Sequence, residues 1–405
     1  MSNATLRSSS NGSGGGGSGA AVAGITAAGA TAADTTVAWR PALDRLKRHP
    51  FQQLQLAGRE KFHTAMLAHV LSHPRIGPAV FEEIAGRAAP GPLRGICEHD
   101  SMDLLVVSAG GEVGDPWHAV IEMKYATRLH AQQLKKYAEK IRRRKQEVAP
   151  ARLLVSLFAP RSDDEIAGTG FERVDLFDRV LAAVRSRVAQ LGGADEDGLI
   201  RLWVRYLEDV AVQREALVAL GTDEALEFGA ALAVTKLKGL FEEQRLLPTR
   251  MALEEQMTGG SGRKSVPLVV AGNTHGNPYI ETNFFPVPGV NVKYGLQWQS
   301  GNLKLFVSFE DRNCPCESER VETLKALADR LREVTRGRVD WPDDAGPWVL
   351  NKTGKFRSIT VMRWDPWGDV GERPGEFVVL AGELRRDEVC RQAVVRLIER
   401  ARVGG

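Results

Sequence analysis

The sequence predicts an α/β protein in which a central mixed β-sheet is flanked by helices, with a C-terminal α+β domain after it. Two observations carry this prediction. Between residues 94 and 159, apolar runs and one helical segment follow in the order strand, strand, helix, strand, which is typical of an α/β sandwich. Beyond residue 265, short strand-like runs surround helical segments, as expected of a separate α+β domain.

Residues 1–40 are predicted to be a disordered tail rich in Gly, Ala and Ser. The first 36 residues contain no aromatic side chain and only two charged ones, Arg7 and Asp34. So little apolar surface cannot offset the entropy lost on ordering. The Ala-rich part is interrupted by Gly24 and Gly29 and lacks a basic start, which argues against a signal peptide.

Residues 41–220 are predicted to form the first folded domain. Apolar residues at helical spacing predict a helix over 59–72, which Pro74 stops. Segment 94–125 has the pattern of two strands around a Gly-rich turn. The later predicted elements are a helix over 128–147, a buried strand over 151–159, and helices over 172–191, 197–218 and 222–246.

Residues 221–260 are predicted to be a helical connector, and residues 261–405 a C-terminal α+β accessory domain. The stretch TGGSGRKS at 258–265 has the composition of a linker. The predicted strands of the last domain are 267–270, 290–297, 303–309, 358–361 and 376–380, and its predicted helices are 317–334 and 387–402.

Composition excludes several classes of protein. The net charge is only +3, so any basic surface must be local. The four cysteines, Cys97, Cys314, Cys316 and Cys390, are too few for a disulfide scaffold and favour a reducing compartment, here the cytoplasm. No run of 18 apolar residues occurs, so no membrane segment is expected.

The residues that carry chemistry lie at the ends of the first two predicted strands. Glu122 and Lys124 stand two apart, so their side chains share one face of a strand. A hairpin whose turn is centred between residues 112 and 113 sets Asp103 opposite Glu122, with Cβ atoms about 5 Å apart. Two carboxylates at so short a distance repel each other unless a cation lies between them. Oxygen ligands in small number suit Mg²⁺ or Mn²⁺.

The predicted helix after this strand is basic. Residues 121–150 contain nine Lys or Arg and three acids, a local charge of 9 − 3 = +6. Gln133 and Tyr137 are four apart and share a helix face. A basic helix beside paired acids suits a polyanionic substrate. The arrangement therefore predicts phosphodiester hydrolysis assisted by a metal ion.

These residues resemble the motifs of the PD-(D/E)XK nuclease superfamily. The matching positions are, in chain order, Glu98, Asp103, Glu122, Lys124, Gln133 and Tyr137. The resemblance covers about residues 50–220 and implies a restriction-endonuclease-like core. It departs from the family pattern in one respect, because Met102 rather than a proline precedes Asp103.

The resemblance also implies roles for these residues. Asp103, Glu122 and the backbone carbonyl of Met123 would bind Mg²⁺ or Mn²⁺, and Lys124 would be the catalytic lysine. The implied activity is metal-dependent cleavage of nucleic acid, with DNA favoured over RNA by superfamily habit alone. A role in restriction or antiphage defence would fit such a nuclease.

Further acids and a helix motif extend the implied site. Glu98 and Glu60 would support a second metal ion or the attacking water, although Asp100 competes with Glu98 for this place. Gln133 and Tyr137 match the QxxxY element, which positions the scissile strand in exonuclease-like members.

Basic side chains of the same helix are the candidates for nucleic-acid binding. They are Lys135, Lys136, Arg142 and Arg143. The run also has the pattern of an ordinary solvated helix face, which is the simpler interpretation of its arginines.

Two other functions remain open from the sequence. One is a catalytically silent nuclease-like module that binds nucleic acid or serves as a scaffold in a larger complex. The other is a glycosidase with paired carboxyl groups, which is disfavoured because Lys124 would lower the pKa of both acids. The C-terminal domain could dock a partner protein or a second copy of the chain.

Overall fold

A computed structural model gives the structure of the chain. It describes residues 32–99, 101–112, 114–125, 131–144, 146–158, 166–220, 222–233, 235, 237–258, 269–274, 277–309, 317–341, 349–353, 356–363 and 373–403. Most of the predicted tail, the predicted linker, Cys314 and Cys316 lie outside these residues.

The described residues form three hydrophobic clusters, of which two lie in an N-terminal domain (32–245) and one in a C-terminal domain (246–403). The elements of the N-terminal domain are α1 (Ala32–Arg48), α2 (Pro50–Gln53), α3 (Glu60–Ser72), α4 (Gly77–Ala85), β1 (Leu93–His99), β2 (Met102–Ser108), β3 (Ala119–Lys124), α5 (Ala131–Arg144), β4 (Ala151–Ser156), β5 (Glu172–Asp175), α6 (Ala182–Arg185), α7 (Asp195–Ala219), α8 (Thr222–Leu232) and α9 (Lys238–Arg245). Between β5 and α6 the chain forms a π-helical segment, Leu176–Leu181.

The N-terminal domain contains a mixed five-stranded sheet in the order β1-β2-β3-β4-β5. The pairs β1–β2 and β2–β3 are antiparallel, whereas β3–β4 and β4–β5 are parallel. The expectation of an α/β fold with a mixed central sheet is therefore confirmed. The carboxyl ends of β3, β4 and β5 meet at one edge, because Lys124 pairs with Ser156 and Ser156 with Asp175.

Alternating side chains divide the sheet into two buried faces. Leu104, Ile121 and Val155 belong to the larger cluster, which also includes residues of α3 and α7. Leu105 and Val120 belong to a smaller cluster that includes residues of α5. This period of two follows from strand geometry. It means that β3 is buried on both faces, so any charged residue in it must be paired or bound.

Two secondary-structure predictions in this domain are wrong. Segment 94–125 forms three strands, since β1 precedes the two expected ones. Gly95 lets β1 lie against α3, because a Cβ there would be 2.7 Å from Cα of Ala68. The predicted helix over 172–191 begins with strand β5, whose Val174 is buried next to β4.

The predicted tail also ends earlier than residue 40, since α1 begins at Ala32. Trp39 is only 2 % exposed and packs edge-on against Phe228, with ring centroids 5.1 Å apart. Arg40 pairs with Glu227 at 2.5 Å. Burial of one large aromatic side chain by α8 thus supports a helix that the composition does not indicate.

The C-terminal domain contains a six-stranded sheet in the order β10-β11-β9-β8-β7-β6, with all described pairs antiparallel. Residues of its helices share one hydrophobic cluster with the strands. Its elements are α10 (Leu247–Thr258), β6 (Val269–Thr274), β7 (Asn277–Thr282), β8 (Val292–Gln299), β9 (Asn302–Phe309), α11 (Glu317–Val334), β10 (Val349–Thr353), β11 (Phe356–Arg363), α12 (Arg373–Arg386) and α13 (Glu388–Val403).

The helices of the predicted connector pack into different domains. Phe228 of α8 and Phe241 of α9 are buried in the N-terminal domain. Leu253 and Met257 of α10 are buried in the C-terminal domain. Among the described residues, no helix combines the length and the apolar character needed to cross a bilayer.

One predicted strand of the C-terminal domain is wrong, since residues 376–380 belong to helix α12. Phe377, Leu380, Ala381 and Leu384 are all buried. Their spacing is that of one helix face. The local run FVVL resembles a strand only while the later residues are ignored.

Candidate active site

The β2–β3 hairpin brings the predicted acids together. Leu104 pairs with Ile121 and Leu105 with Val120, which is the register expected from the turn. Continuing it by one residue sets Asp103 opposite Glu122. The two carboxyl groups interact directly, because each changes the pKa of the other.

Glu122 and Lys124 form a buried ion pair at the end of β3. Glu122 is fully buried, and the side chain of Lys124 is 9 % exposed. Nζ of Lys124 lies 2.5 Å from Oε1 of Glu122, although neither oxygen of Glu122 receives a hydrogen bond of normal geometry from the described residues. Both groups are shielded from water, so their mutual attraction is strong. Removing either one would leave the other as an unpaired buried charge.

Glu60 approaches the same lysine from the first turn of α3. Its Oε1 accepts a hydrogen bond from Nζ of Lys124 at 3.1 Å, and its Oε2 accepts one from the backbone N–H of Tyr125 at 3.2 Å. An acid in the first turn of a helix also benefits from the helix dipole. The ammonium group of Lys124 therefore lies between two carboxylates from different elements.

Asp103 is fixed by the backbone of the neighbouring strand. The N–H of Met123 donates to Oδ2 of Asp103 at 2.9 Å. The carbonyl of Lys124 accepts from Leu157 on the β4 side. Because successive peptide groups of a strand point to opposite sides, the N–H and carbonyl of Met123 face β2, toward Asp103.

Burial raises the pKa values of both Glu122 and Asp103. Burial raises the pKa of Glu122 to about 7; the nearby charge of Asp103 adds to this rise, and that of Lys124 opposes it. Burial also raises the pKa of Asp103. For Lys124, burial alone would lower the pKa, but the charges of Glu122 and Glu60 outweigh it, so its pKa is raised and it stays protonated.

Gln133 and Tyr137 of α5 face this cluster. Nε2 of Gln133 donates to the hydroxyl of Tyr137 at 2.7 Å, and that hydroxyl donates to the carbonyl of Ser101. Ser101 has a left-handed backbone, with φ at 65°. Burial raises the pKa of Tyr137 to about 12, helped by the charges of Glu122 and Asp103. The phenol therefore stays protonated, and its single O–H is the one donated to Ser101.

Glu98 is not brought to the cluster. Its side chain is 53 % exposed and pairs with Lys61 at 2.5 Å. It lies at a left-handed position of β1, φ 53°, where it interrupts the pairing with β2. Its competitor Asp100 lies outside the described residues. Of the two supporting acids expected from sequence, only Glu60 contacts Lys124.

The four basic residues of α5 that were predicted to bind nucleic acid divide into two kinds. Lys135 and Lys136 are exposed. Arg142 and Arg143 are exposed too, but both donate to Glu139 on the same helix, at 2.8 to 2.9 Å. Such an exposed pair contributes little to stability, yet it partly neutralises the two guanidinium groups.

A buried polar layer behind the cluster was not predicted. The hydroxyl groups of Tyr125 and Tyr206 are 2.9 Å apart, and Tyr206 also donates to the carbonyl of Ala57. Nε1 of Trp203 donates to Nδ1 of His63 at 3.1 Å. Only the position of Tyr125 directly after Lys124 could have indicated this layer, because the other members come from distant helices.

The donor set was tested for its fit to Mg²⁺ or Mn²⁺. In the described ranges, no three acidic, histidine or cysteine side chains converge as a metal site does. Two carboxylates do converge, and neither oxygen of buried Glu122 receives a hydrogen bond of normal geometry from the described residues. Hard oxygen donors of this kind suit these ions, with water completing the coordination. The residues fit a two-carboxylate site, provided that Lys124 withdraws from Oε1 of Glu122.

Comparisons with protein-family models, with curated proteins and with solved structures found no match for this chain. The function is therefore inferred from the site itself. Three features bear on it: paired carboxylates of which that of Glu122 is fully buried, a protonated lysine between two acids, and a helix that presents both a buried Tyr137 and exposed lysines.

Proposed function

We propose that this chain is a metal-dependent nuclease that hydrolyses phosphodiester bonds, with DNA favoured over RNA. The observation that carries the proposal is the joint position of Asp103, Glu122, Lys124 and Glu60 at the ends of β2 and β3 and the start of α3. Placing one fully buried acid, Glu122, and two half-buried acids around one buried lysine is costly for folding. A catalytic role accounts for that cost.

Asp103, Glu122 and the carbonyl of Met123 would hold Mg²⁺ or Mn²⁺. The bound ion supplies Lewis acidity toward a phosphoryl oxygen and a water molecule. The Met123 N–H keeps Asp103 in a fixed orientation, which reduces the reorganisation needed on binding.

Lys124 would orient the attacking water or neutralise the charge that develops on the phosphoryl group. Glu60 holds the ammonium group by one oxygen and the Tyr125 peptide by the other, so it keeps Lys124 within the site when a ligand binds Glu122. Gln133 holds the hydroxyl of Tyr137, which would donate to the scissile strand once its single O–H turns away from the carbonyl of Ser101.

The substrate class follows from charge. Lys135 and Lys136 extend the site along the exposed face of α5, and phosphate groups are the natural partners of exposed lysines. The mixed sheet with α5 on one face agrees with a restriction-endonuclease-like core. Preference for DNA, and a role in restriction or antiphage defence, rest on the family resemblance alone.

A silent nuclease-like module is the second candidate. It is favoured by one observation, namely that Lys124 lies 2.5 Å from Glu122, where the proposed cation would compete with it. Titration calorimetry with Mg²⁺ and Mn²⁺ separates the two candidates. A silent module binds nucleic acid but neither ion, whereas the nuclease binds both.

The proposal is tested by incubating plasmid, linear duplex, single-stranded DNA and RNA with Mg²⁺ or Mn²⁺, and with EDTA as the control. We expect cleavage of at least one substrate by the wild-type protein and none by Lys124→Ala. Lys325→Ala, at an exposed position of α11 in the C-terminal domain, serves as the matched control and should cleave normally. Equal cleavage by all three proteins contradicts the assignment.

A further inference from the structure

Ser156 lies beside the proposed catalytic lysine on the next strand. It ends β4, and its Cα pairs with that of Lys124 in the parallel ladder. Paired residues of neighbouring strands point to the same face of a sheet. Leu154, two residues earlier, packs with Leu134 and Tyr137 of α5. Ser156 and Lys124 therefore both face the side of the sheet that α5 covers.

The hydroxyl of Ser156 is buried and unpaired. The residue is 4 % exposed, and its Oγ has no hydrogen-bond partner among the described residues. Neither oxygen of Glu122, on the adjacent strand, receives a hydrogen bond of normal geometry from the described residues, although Nζ of Lys124 lies 2.5 Å from one of them. Burying a hydroxyl without a partner opposes folding, and alanine would avoid that cost. A ligand that pairs with the hydroxyl explains why serine is present.

We propose that Ser156 is a substrate-binding residue whose hydroxyl donates to a non-bridging oxygen of the scissile phosphate. This inference rests on the proposed function and adds the group that receives the phosphate. The ammonium of Lys124 carries three N–H donors, of which two are directed at Glu122 and Glu60. The serine O–H and the remaining N–H form a pair of donors on neighbouring strands. Donors to an anion bind more strongly than donors to a neutral acceptor.

The variants Ser156→Ala and Ser156→Thr test this inference, with Ser358→Ala as the matched control. Ser358 is also a buried strand serine, 1 % exposed, with an unpaired Oγ, but it lies in the sheet of the C-terminal domain. Binding is measured by fluorescence anisotropy on the full-length protein in EDTA, with a fluorescein-labelled DNA duplex that carries a single-stranded overhang. Cleavage of the same DNA is measured in Mg²⁺, and melting temperatures are recorded for all variants.

We expect Ser156→Ala to weaken binding about tenfold, the loss typical of a hydrogen bond to a charged group, and to slow cleavage at least as much. Its melting temperature should equal or exceed that of the wild type, since no hydrogen bond is lost in the free protein. Ser156→Thr keeps a hydroxyl and should stay within about threefold of the wild type in binding. Ser358→Ala should bind and cleave normally.

The outcomes separate this inference from the proposed function. If the wild type cleaves and Ser156→Ala binds and cleaves equally well, Ser156 has no substrate role and the nuclease assignment stands. If no protein cleaves but Ser156→Ala binds more weakly, the phosphate site stands and catalysis is refuted. A wild type that neither binds nor cleaves this DNA overturns both. A lowered melting temperature for Ser156→Ala makes the residue structural and also overturns the inference.

Discussion

The ring of Tyr125 stacks on the imidazole of His63, with ring centroids 3.6 Å apart and 18° between the planes. Tyr125 directly follows Lys124, the last residue of β3, and His63 lies one turn after Glu60 on α3. The stack therefore joins the two elements that supply the lysine and its second carboxylate. His63 is fully buried, so protonating its imidazole would place a charge in the core.

Stability should fall in mild acid because of His63. Burial lowers the pKa of His63 to about 4, against the opposing effect of its hydrogen bond to the carbonyl of Ala57. The unfolded chain, with an ordinary pKa near 6.5, takes up this proton first as the pH falls. The stabilisation is therefore complete above pH 6.5 and is lost progressively between about pH 6.5 and 4, amounting to about 3 kcal/mol.

Urea unfolding at pH 7.5 and pH 5 checks this expectation in the wild type and in His63→Phe. The variant should be less stable at pH 7.5, because Trp203 loses its acceptor, but should lose less stability on acidification. His49 and His118, whose pKa values burial also lowers, preserve part of the dependence in both proteins. An identical loss in the two proteins would show that His63 does not titrate as expected.

Glu60 and Glu98 should differ sharply in their effect on cleavage. Glu60→Gln removes a charge that lies 3.1 Å from Lys124 and should slow cleavage at least about tenfold, the scale of one charged hydrogen bond. Glu98→Gln removes an exposed partner of Lys61 and should change the rate less than about threefold. Initial rates at saturating Mg²⁺ measure both. The reverse order would place Glu98, and not Glu60, in the site.

Glu139 should restrain nucleic-acid binding by α5. Glu139→Ala releases Arg142 and Arg143 from their intrahelical pairs and should raise affinity for DNA. Replacing Lys135 and Lys136 together by alanine should lower affinity and reduce the slope of log K against log salt by about two, one per lost phosphate contact. Anisotropy titrations at several salt concentrations measure both effects. Unchanged slopes in both variants would exclude α5 from the interface.

The two domains should separate after Arg245 and not near residue 260. A fragment that ends at 245 keeps Phe228 and Phe241 in their own cluster. It should unfold cooperatively and cleave DNA with altered substrate preference. A fragment that ends at 260 uncovers Leu253 and Met257, both fully buried in the whole chain, and should bind a hydrophobic dye such as ANS. Stronger dye binding by the shorter fragment would refute this boundary.

Local sequence patterns predicted much of the fold of this chain. The register of β2 with β3 follows from the Gly-rich turn between the two apolar runs, because the length of the connecting loop fixes the register of a hairpin. Helix α11 has the predicted bounds, Glu317–Val334, since its apolar spacing is regular. Strand β1 was missed because only Leu93 of its seven residues is buried, which leaves no alternating pattern to detect.

Long-range contacts account for what the sequence did not predict in the site. The position of Glu60 beside Lys124 depends on how α3 packs across the end of β3. The exclusion of Glu98 depends on a left-handed residue that turns its side chain toward Lys61. The proposed role of Ser156 depends on the parallel pairing of β3 and β4, which are separated by a whole helix. None of these contacts leaves a short-range signature.

The most direct test of the central claim is the rate of Mg²⁺-dependent cleavage of DNA by the wild type and by Lys124→Ala, both shown to be folded by their melting curves. The ammonium of Lys124 pairs with both Glu122 and Glu60, so the nuclease assignment predicts a loss of about a hundredfold to a thousandfold on its removal, as for other groups that stabilise transition-state charge. Wild-type rates in a folded Lys124→Ala protein would contradict the assignment of this site.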